Sequence, residues 1–486
     1  MVPRMPEMDL ISVMVFGWQA KLFERVGQRI VFTLMAISFL APRMPATTAT
    51  RTARWALFTL LLAACSWHIE RARDDNTVSR ALAVRALVEE GRLEITPRHE
   101  LTGDKARTGE RYFSDKAPLP TYVVAALWKM ARAFGAVDRS DDPVDARILV
   151  LGGFLFGSVP MALILFIAFT ELRKRGPSAP WELAIVPLLG SFLFVYSGTF
   201  FNHLPAALFA LLTALALRDG HHLRAGLWAG LGVACDAALL FVLLVWLVQQ
   251  AMQRKAFVHL LVGLVPGAAI TMINNLAVTG SPFTFPSAHA VNYGVMREGY
   301  GFGSWQPDAF LGLTVSAYRG LLFFAPALIA VLMLAWMERK RLLGSSMLRD
   351  PFVLPSIALI LVFFTHATWW GGWAYGPRYL TTVPVLLLAR AMPALAMRPL
   401  LARAAIGLGL FGLLCAVAAK LTTGHGLPTE ERNPFMGMVL PLIRERAFHG
   451  AGWPLDAGFS PAMGAFLFIA FLALAYFGVR RVAPRC

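Results

Sequence analysis

Apolar residues in this chain fall into runs of about 15–25, too long for strands and long enough to cross a hydrocarbon core as helix. Such runs predict spans over Trp55–Trp67, Arg147–Thr170, Leu183–Ser197, Leu204–Leu217, Phe257–Ile273, Ala317–Met337, Phe352–Thr368, Tyr379–Ala396, Leu401–Ala419 and Ala462–Phe477. The stretch Leu223–Met252 exceeds one crossing, and Asp236 with the glycines before it makes two short crossings or a re-entrant hairpin. Alternating strands of barrel length are absent. The pattern predicts an all-α, polytopic transmembrane fold of about 10–12 spans. A single membrane domain covers residues 55–486, behind a cytoplasmic N-terminal segment over residues 1–54. That segment holds a further apolar run, IVFTLMAISFLA, without the flanks of a signal peptide.

Polar positions set the sidedness. Basic clusters ELRKRG, ALRDGHHLR, QRK, ERKRLLG, AMRPLLAR and VRRVAPR fall on one side if Leu223–Met252 enters and returns, and the side rich in Lys and Arg is cytoplasmic. Arg43, Arg51 and Arg54 put the N-terminus there too. The long loops Glu70–Lys116, Ala277–Ser316, Gly371–Arg378 and Leu421–Pro461 then face outward. The first holds ten acids and ten bases, so ten of the chain's 29 acids sit in one outer loop. Within it DNTVSRALAVRALVEEG reads as a helix capped at Asp75 or Asn76 and stopped by Gly91. Its apolar stripe, Val78, Ala81, Val84 and Val88, suits an interfacial helix. Pro118, Pro120, Lys129 and Arg132 likewise give the next apolar helix an interfacial position.

Composition agrees with this picture. The chain is 57% hydrophobic and only 15% charged, which excludes an ordinary soluble domain, and membrane sidedness accounts for its net charge of +16 without nucleic acid. Three of the four cysteines lie in apolar segments and the fourth is terminal, so no disulfide framework is legible. There is no Gly-rich phosphate loop, no Asp-x-Asp pair and no Cys/His metal spacing. Soluble-type nucleotide chemistry is therefore excluded. A divalent cation stays open, because carboxylates are available without ligand spacing. GLWAGLG spaces Gly226, Gly230 and Gly232 for close helix packing.

Candidate chemistry concentrates at the outer face. Asp74 and Asp75 follow the first span, either capping a helix and pairing with Arg71 and Arg73 or accepting a proton from a hydroxyl as general base. Arg80 lies in the same segment. TGDKARTGERYFSDKAPLP carries two Asp-Lys pairs eleven residues apart, Asp104-Lys105 and Asp115-Lys116. Tyr112 offers a flat surface for a sugar, and Lys116 a cation at lipid-phosphate depth. His203, Arg319, Tyr375 and Arg378 sit at the outer ends of spans, where an arginine either snorkels or helps bind an anion. Asp236 is a carboxylate in an apolar stretch.

In order along the chain, ALVEEGRLEI, TGDKARTGERYFSDKAP, FNHLPAALFALL, AVTGSPF, SAYRGLLFFAP and WWGGWAYGPRYL resemble bacterial polytopic glycosyltransferases of the GT-C superfamily. The groups in view are the protein O-mannosyltransferase and aminoarabinose-transferase-like enzymes. The resemblance implies a polyprenyl-phosphate sugar donor and a lipid, glycan or protein acceptor. It also implies inversion at the anomeric carbon and an active site on the outer side of the bacterial cytoplasmic (inner) membrane. It assigns the base to an acid just after the first span, here Asp74 or Asp75. The family's acid stands slightly later, where this chain has Thr77, so the choice between the two stays open. YFSDKAP resembles the family's YSDKAP element and would bring Asp115 and Lys116 to the donor or acceptor, as chemistry or as positioning. A flippase or transporter of lipid-linked saccharides and a polymer ligase are the competing expectations.

Overall fold

The computed structural model describes residues 46–485 apart from 177, 252–253, 343–344 and 450–451. The run IVFTLMAISFLA and Arg43 lie outside the described residues. The principal helices are α1 (Ala46–Ser66), α2 (Asp75–Arg85), α3 (Pro118–Ala133), α4 (Ala146–Arg175), α5 (Glu182–Leu189), α6 (His203–Arg218) and α7 (His222–Cys235). They continue with α8 (Leu239–Ala251), α9 (Arg254–Thr279), α10 (Leu328–Met337), α11 (Val353–Phe363), α12 (Thr382–Ala396), α13 (Pro399–Leu421) and α14 (Pro461–Val482). The fold is all-α and polytopic. Among the described residues α4, α9, α12 with the turn before it, α13 and α14 are long and apolar enough to cross a membrane. Shorter apolar helices, α6, α8, α10 and α11 among them, supply the remaining apolar runs.

A helix that is apolar all round belongs inside a bundle. α6 meets that condition and is enclosed almost throughout, against α4, α7 and α12. The long Leu223–Met252 stretch is two helices. Asp236 leaves the helical region (φ −148°, ψ 116°), ends α7, and its carboxylate accepts the Ala238 amide at 3.1 Å to start the turn into α8. That turn lies at the same end of the bundle as His203, the first residue of α6.

α7 and α9 pack backbone to backbone. A Cβ on Gly226 would stand 2.9 Å from Gly263 Cα, and one on Gly230 would stand 2.8 Å from the Leu264 carbonyl. The glycine spacing in GLWAGLG therefore serves close helix approach, as its sequence suggests.

The loop after α1, expected on the outer side, is folded rather than extended. Asp74, one residue before the expected cap, is the N-cap of α2, and the helix runs through a π turn to Gly91 at φ +66°. The stripe of Val78, Ala81 and Val84 is present, but it faces protein: Val124, Ala125 and Trp128 of α3 and Ile148 and Leu149 of α4. Every side chain from Asn76 to Arg85 is buried. α3 keeps an amphipathic character, with Leu127 and Met130 exposed and Trp128 buried. After α2 come the strands β1 (Lys105–Thr108) and β2 (Arg111–Ser114), an antiparallel hairpin closed by Gly109 and Glu110, with Gly109 at φ +62°.

The α7–α9 contact generates a stability prediction. Gly263→Leu places side-chain atoms where Gly226 Cα and Leu227 N already lie, 2.9 Å from a Cβ. Backbone cannot give way as a side chain does, so the substitution is expected to cost about 3 kcal/mol or more. Thermal unfolding of the purified protein in detergent would show it as a lowered midpoint, and an unchanged midpoint would refute the packing.

Candidate active site

The hairpin explains why two Asp-Lys pairs occur eleven residues apart. Lys105 pairs with Ser114 across the ladder, so the residues just outside it, Asp104 and Asp115, meet at the open end. Lys116 joins them there, its Nζ 2.7 Å from Asp104 and 3.1 Å from Asp115, with all three side chains largely buried. Burial pushes the Asp115 carboxyl up. The Lys116 charge opposes this, but the neighbouring Asp104 adds to it, and Asp115 stays above the usual carboxylate range. Lys116 is disfavoured by burial, yet Asp104 and Asp115 raise it above an ordinary lysine.

Alternation along the strand sends Lys105 the other way. Its Nζ bonds the His99 carbonyl at 2.8 Å, and Tyr112 stacks on the His99 ring at 3.7 Å. Lys105 and Tyr112 thus belong to the far side of the hairpin. Asp75 accepts the Gly103 amide at 2.6 Å, and its carbonyl accepts the Thr102 hydroxyl at 2.8 Å. It holds the segment leading into Asp104. Asn292 of the second outer loop donates to the Gly103 carbonyl from above.

Arg80 is fully buried and reaches across the loop, donating to Asn76, to the Ala117 carbonyl and to Asn202 at 2.8–3.2 Å. Burial lowers it to about 10, and the charges of Asp115 and Asp236 partly offset this. Beside it Asp236 lies 2.6 Å from His203 Nδ1. This turn between α7 and α8 and the start of α6 therefore close the back of the site.

Asp74 forms the third part. One oxygen accepts the amides of Asn76 and Thr77, and the other accepts the Thr77 hydroxyl and lies 3.2 Å from His425 Nε2. Arg71 and Arg73, its nearest cations in sequence, pair with Asp456 and Asp142 instead. Burial pushes the Asp74 carboxyl up. His425 and the Thr77 bonds outweigh that and hold it below the usual range. Burial lowers His425, but Asp74 and then Glu70 bring it above an ordinary histidine. Glu70 also lies 3.8 Å from His449. The Asp74 side chain keeps 31% of its surface exposed while His425 keeps 5%, so solvent meets the carboxylate and hardly the imidazole.

Phe201 joins this group to Arg378. Its ring meets His425 edge-on at 4.9 Å, and the Arg378 guanidinium lies 5.7 Å from the same ring and 5.5 Å from Tyr379. Arg378 Nε has no hydrogen-bond partner, and no carboxylate pairs with Arg378 among the described residues. Arg319 is placed differently. It is fully buried, and its guanidinium donates to the carbonyls of Tyr318, Trp370, Gly372 and Leu427. Tyr375 is buried too, with its amide on the Tyr196 hydroxyl and its ring edge-on to Phe324. Arg319 and Tyr375, expected beside a substrate, instead fasten the outer turns. Their side chains are already spent on protein.

The geometry thus gathers Asp74, Arg80, Asp104, Asp115, Lys116, His203 and Arg378 at one end of the bundle. It adds Asn202 and Tyr379, which lie in the motifs FNHLPAALFALL and WWGGWAYGPRYL, and His425, Glu70 and His449, which no motif marks. Among the described residues no group of three His, Cys, Asp or Glu side chains is arranged to hold a metal ion.

No family model matches the chain, and no curated protein matches it. Among solved structures it is similar to ArnT from Cupriavidus metallidurans in the apo state, at 17% identity over 90% of this chain and 78% of that one, with a TM-score of 0.42. Likeness of that degree transfers no residue role, and the geometry of this chain alone supports the assignments above.

Two outcomes follow from these contacts. Arg319→Gln removes charged donors from buried carbonyls and is expected to cost about 3–5 kcal/mol, lowering the thermal midpoint. Unaltered stability would contradict the latch. The Asp74–His425 pair generates a pH window. His425, raised, contributes stability fully below about 6.5 and loses it as pH climbs through its folded value. Asp74, depressed, contributes above about 3.9 and loses it as pH falls through its folded value. The pair is therefore strongest between about 4 and 6.5. NMR of 15N-histidine-labelled protein should show His425 titrating above a free histidine, and Asp74→Asn should bring it down. A His425 that titrates no higher in the parent than in Asp74→Asn would rule out the pairing.

Proposed function

We propose that this protein is a membrane glycosyltransferase that moves a sugar from a polyprenyl-phosphate donor to a hydroxyl-bearing acceptor at the outer face of the cytoplasmic membrane. The observation that carries the reading is an accessible carboxylate, Asp74, linked through His425 and Phe201 to a half-buried cation without a carboxylate partner, Arg378. The order of motifs resembling GT-C transferases supports it.

A lipid-phosphate sugar carries its own leaving group, so the enzyme needs a base and an anion clamp and no nucleotide site. In this reading Asp74 takes the proton from the acceptor hydroxyl. The acceptor oxygen bonds to the anomeric carbon from the side opposite the leaving group, and the bond from that carbon to the phosphate oxygen breaks. The configuration inverts, and the lipid phosphate departs with the bond's electron pair. The charge it gains is met by Arg378 and Lys116. Asp74 suits the first task because its low pKa keeps it ionised at neutral pH, and His425 holds its orientation. Arg378 suits the second because a half-buried guanidinium that no carboxylate pairs directly has donors left for an arriving phosphate. Asp104 and Asp115 hold Lys116 in place, and Asp75 and Asn292 hold the hairpin that carries them.

The test is transfer from labelled polyprenyl-phosphate sugars by membranes containing each variant at equal protein level. Asp74→Asn is expected to lower kcat by about 10²–10⁴. Arg378→Gln and Lys116→Ala are expected to weaken donor use, each by about tenfold or more in kcat/KM. Full activity in all three would overturn the assignment of the site.

A further inference from the structure

The opposite end of the bundle holds a polar cleft. α6 carries the chain away from the active site over 16 residues, about 24 Å at about 1.5 Å per residue, and α7 carries it back. Where α7 and α9 begin, a cleft of about 690 Å³ opens between them. His221, His222, Arg224, Arg254, Lys255 and His259 line it, and none of its lining residues is acidic. The nearest acid in sequence, Asp219, is held by Arg218 at 2.7 Å. The glycine contact between α7 and α9 fixes how close these cations stand, because Gly226 and Gly263 lie within one turn of the cleft.

Two features decide what such a cleft takes. Three fixed cations and three histidines without a carboxylate among them attract an anion with several oxygens, and a phosphate meets that description. Below the cleft the surface turns apolar at once. Val258, Leu261, Val262 and Val265 of α9 are all more than two-fifths exposed and continue from Lys255 and His259 along the helix. A free phosphate has no use for that face, whereas a pair of acyl chains covers it.

We propose that this cleft is a binding site for an anionic phospholipid. Its phosphate sits among Arg224, Arg254 and Lys255, and its acyl chains lie along α9. The site faces the leaflet opposite the active site and contributes no group to the transfer reaction. It fixes the α7–α9 pair, and through it the turn at Asp236, relative to the membrane plane.

The full-length protein in neutral detergent, followed by native mass spectrometry, tests this directly. Phosphatidylglycerol is expected to bind saturably at one site, with phosphatidylcholine at least tenfold weaker. The double variant Arg254→Gln/Lys255→Gln and the single Lys255→Glu, both at exposed positions, are expected to weaken phosphatidylglycerol at least tenfold. Arg339→Gln/Lys340→Gln, in a separate basic cluster, is expected to leave it unchanged. The proposal is overturned if the cleft variants bind as the parent does, or if the Arg339/Lys340 variant loses as much. It is also overturned if phosphatidylcholine binds equally, or if millimolar inorganic phosphate displaces the lipid, which would mark a site for a soluble anion.

Discussion

The Asp74 carboxylate is committed on both of its oxygens before any substrate arrives. One caps the first turn of α2, where backbone amides have no partner of their own, and the other meets Thr77 and His425. The cap fixes where the helix starts and so where Arg80 and Ser79 point. Arg80 in turn ties the loop to Asn202 and to the Ala117 carbonyl, directly after the Asp-Lys pair of β2. The bond to His425 draws the last long outer loop onto the first. A single carboxylate thus sets the start of α2 and the closure of the outer face, and it keeps part of its surface open.

Such economy places a limit on how the site adapts. A carboxylate used as a cap resists rotation, so its exposed part presents one fixed direction to solvent. Arg378 is held less tightly, by aromatic faces rather than by ions, and adjusts to an arriving anion at little cost. Phe201 touches Arg378 and also His425, which meets the Asp74 carboxylate.

Much of this was legible from residues alone, for definable reasons. The longer spans, the break at Asp236 and the close-packed glycines follow from local periodicity and residue size, whereas the apolar runs Leu183–Ser197 and Ala317–Met337 each divide into shorter helices that hydropathy alone does not separate. The clustering of Asp104, Asp115 and Lys116 was half legible. The repeated Asp-Lys pair was visible, but its meaning needed the hairpin that brings its halves together. The Asp74–His425 contact joins residues 351 positions apart, and nothing around His425 in TTGHGLP marks it. Arg319 and Arg378 look alike in sequence, each an arginine at the outer end of a span. Only the carbonyls around the first and the aromatic rings around the second separate a latch from a free cation. The stripe on α2 was read correctly as apolar, but a periodicity cannot say whether it meets lipid or protein.

The hairpin's tip, Gly109 and Glu110, is exposed and touches neither the Asp-Lys cluster nor the helices. Side chains alternate along its strands, so losing one residue from β1 would turn Asp104 to the opposite face and leave Lys116 with Asp115 alone as counter-charge. Growth at the tip has no such effect, because pairing at the open end is set by the strands. The tip can therefore vary in length while the charges at the hairpin's base remain in register.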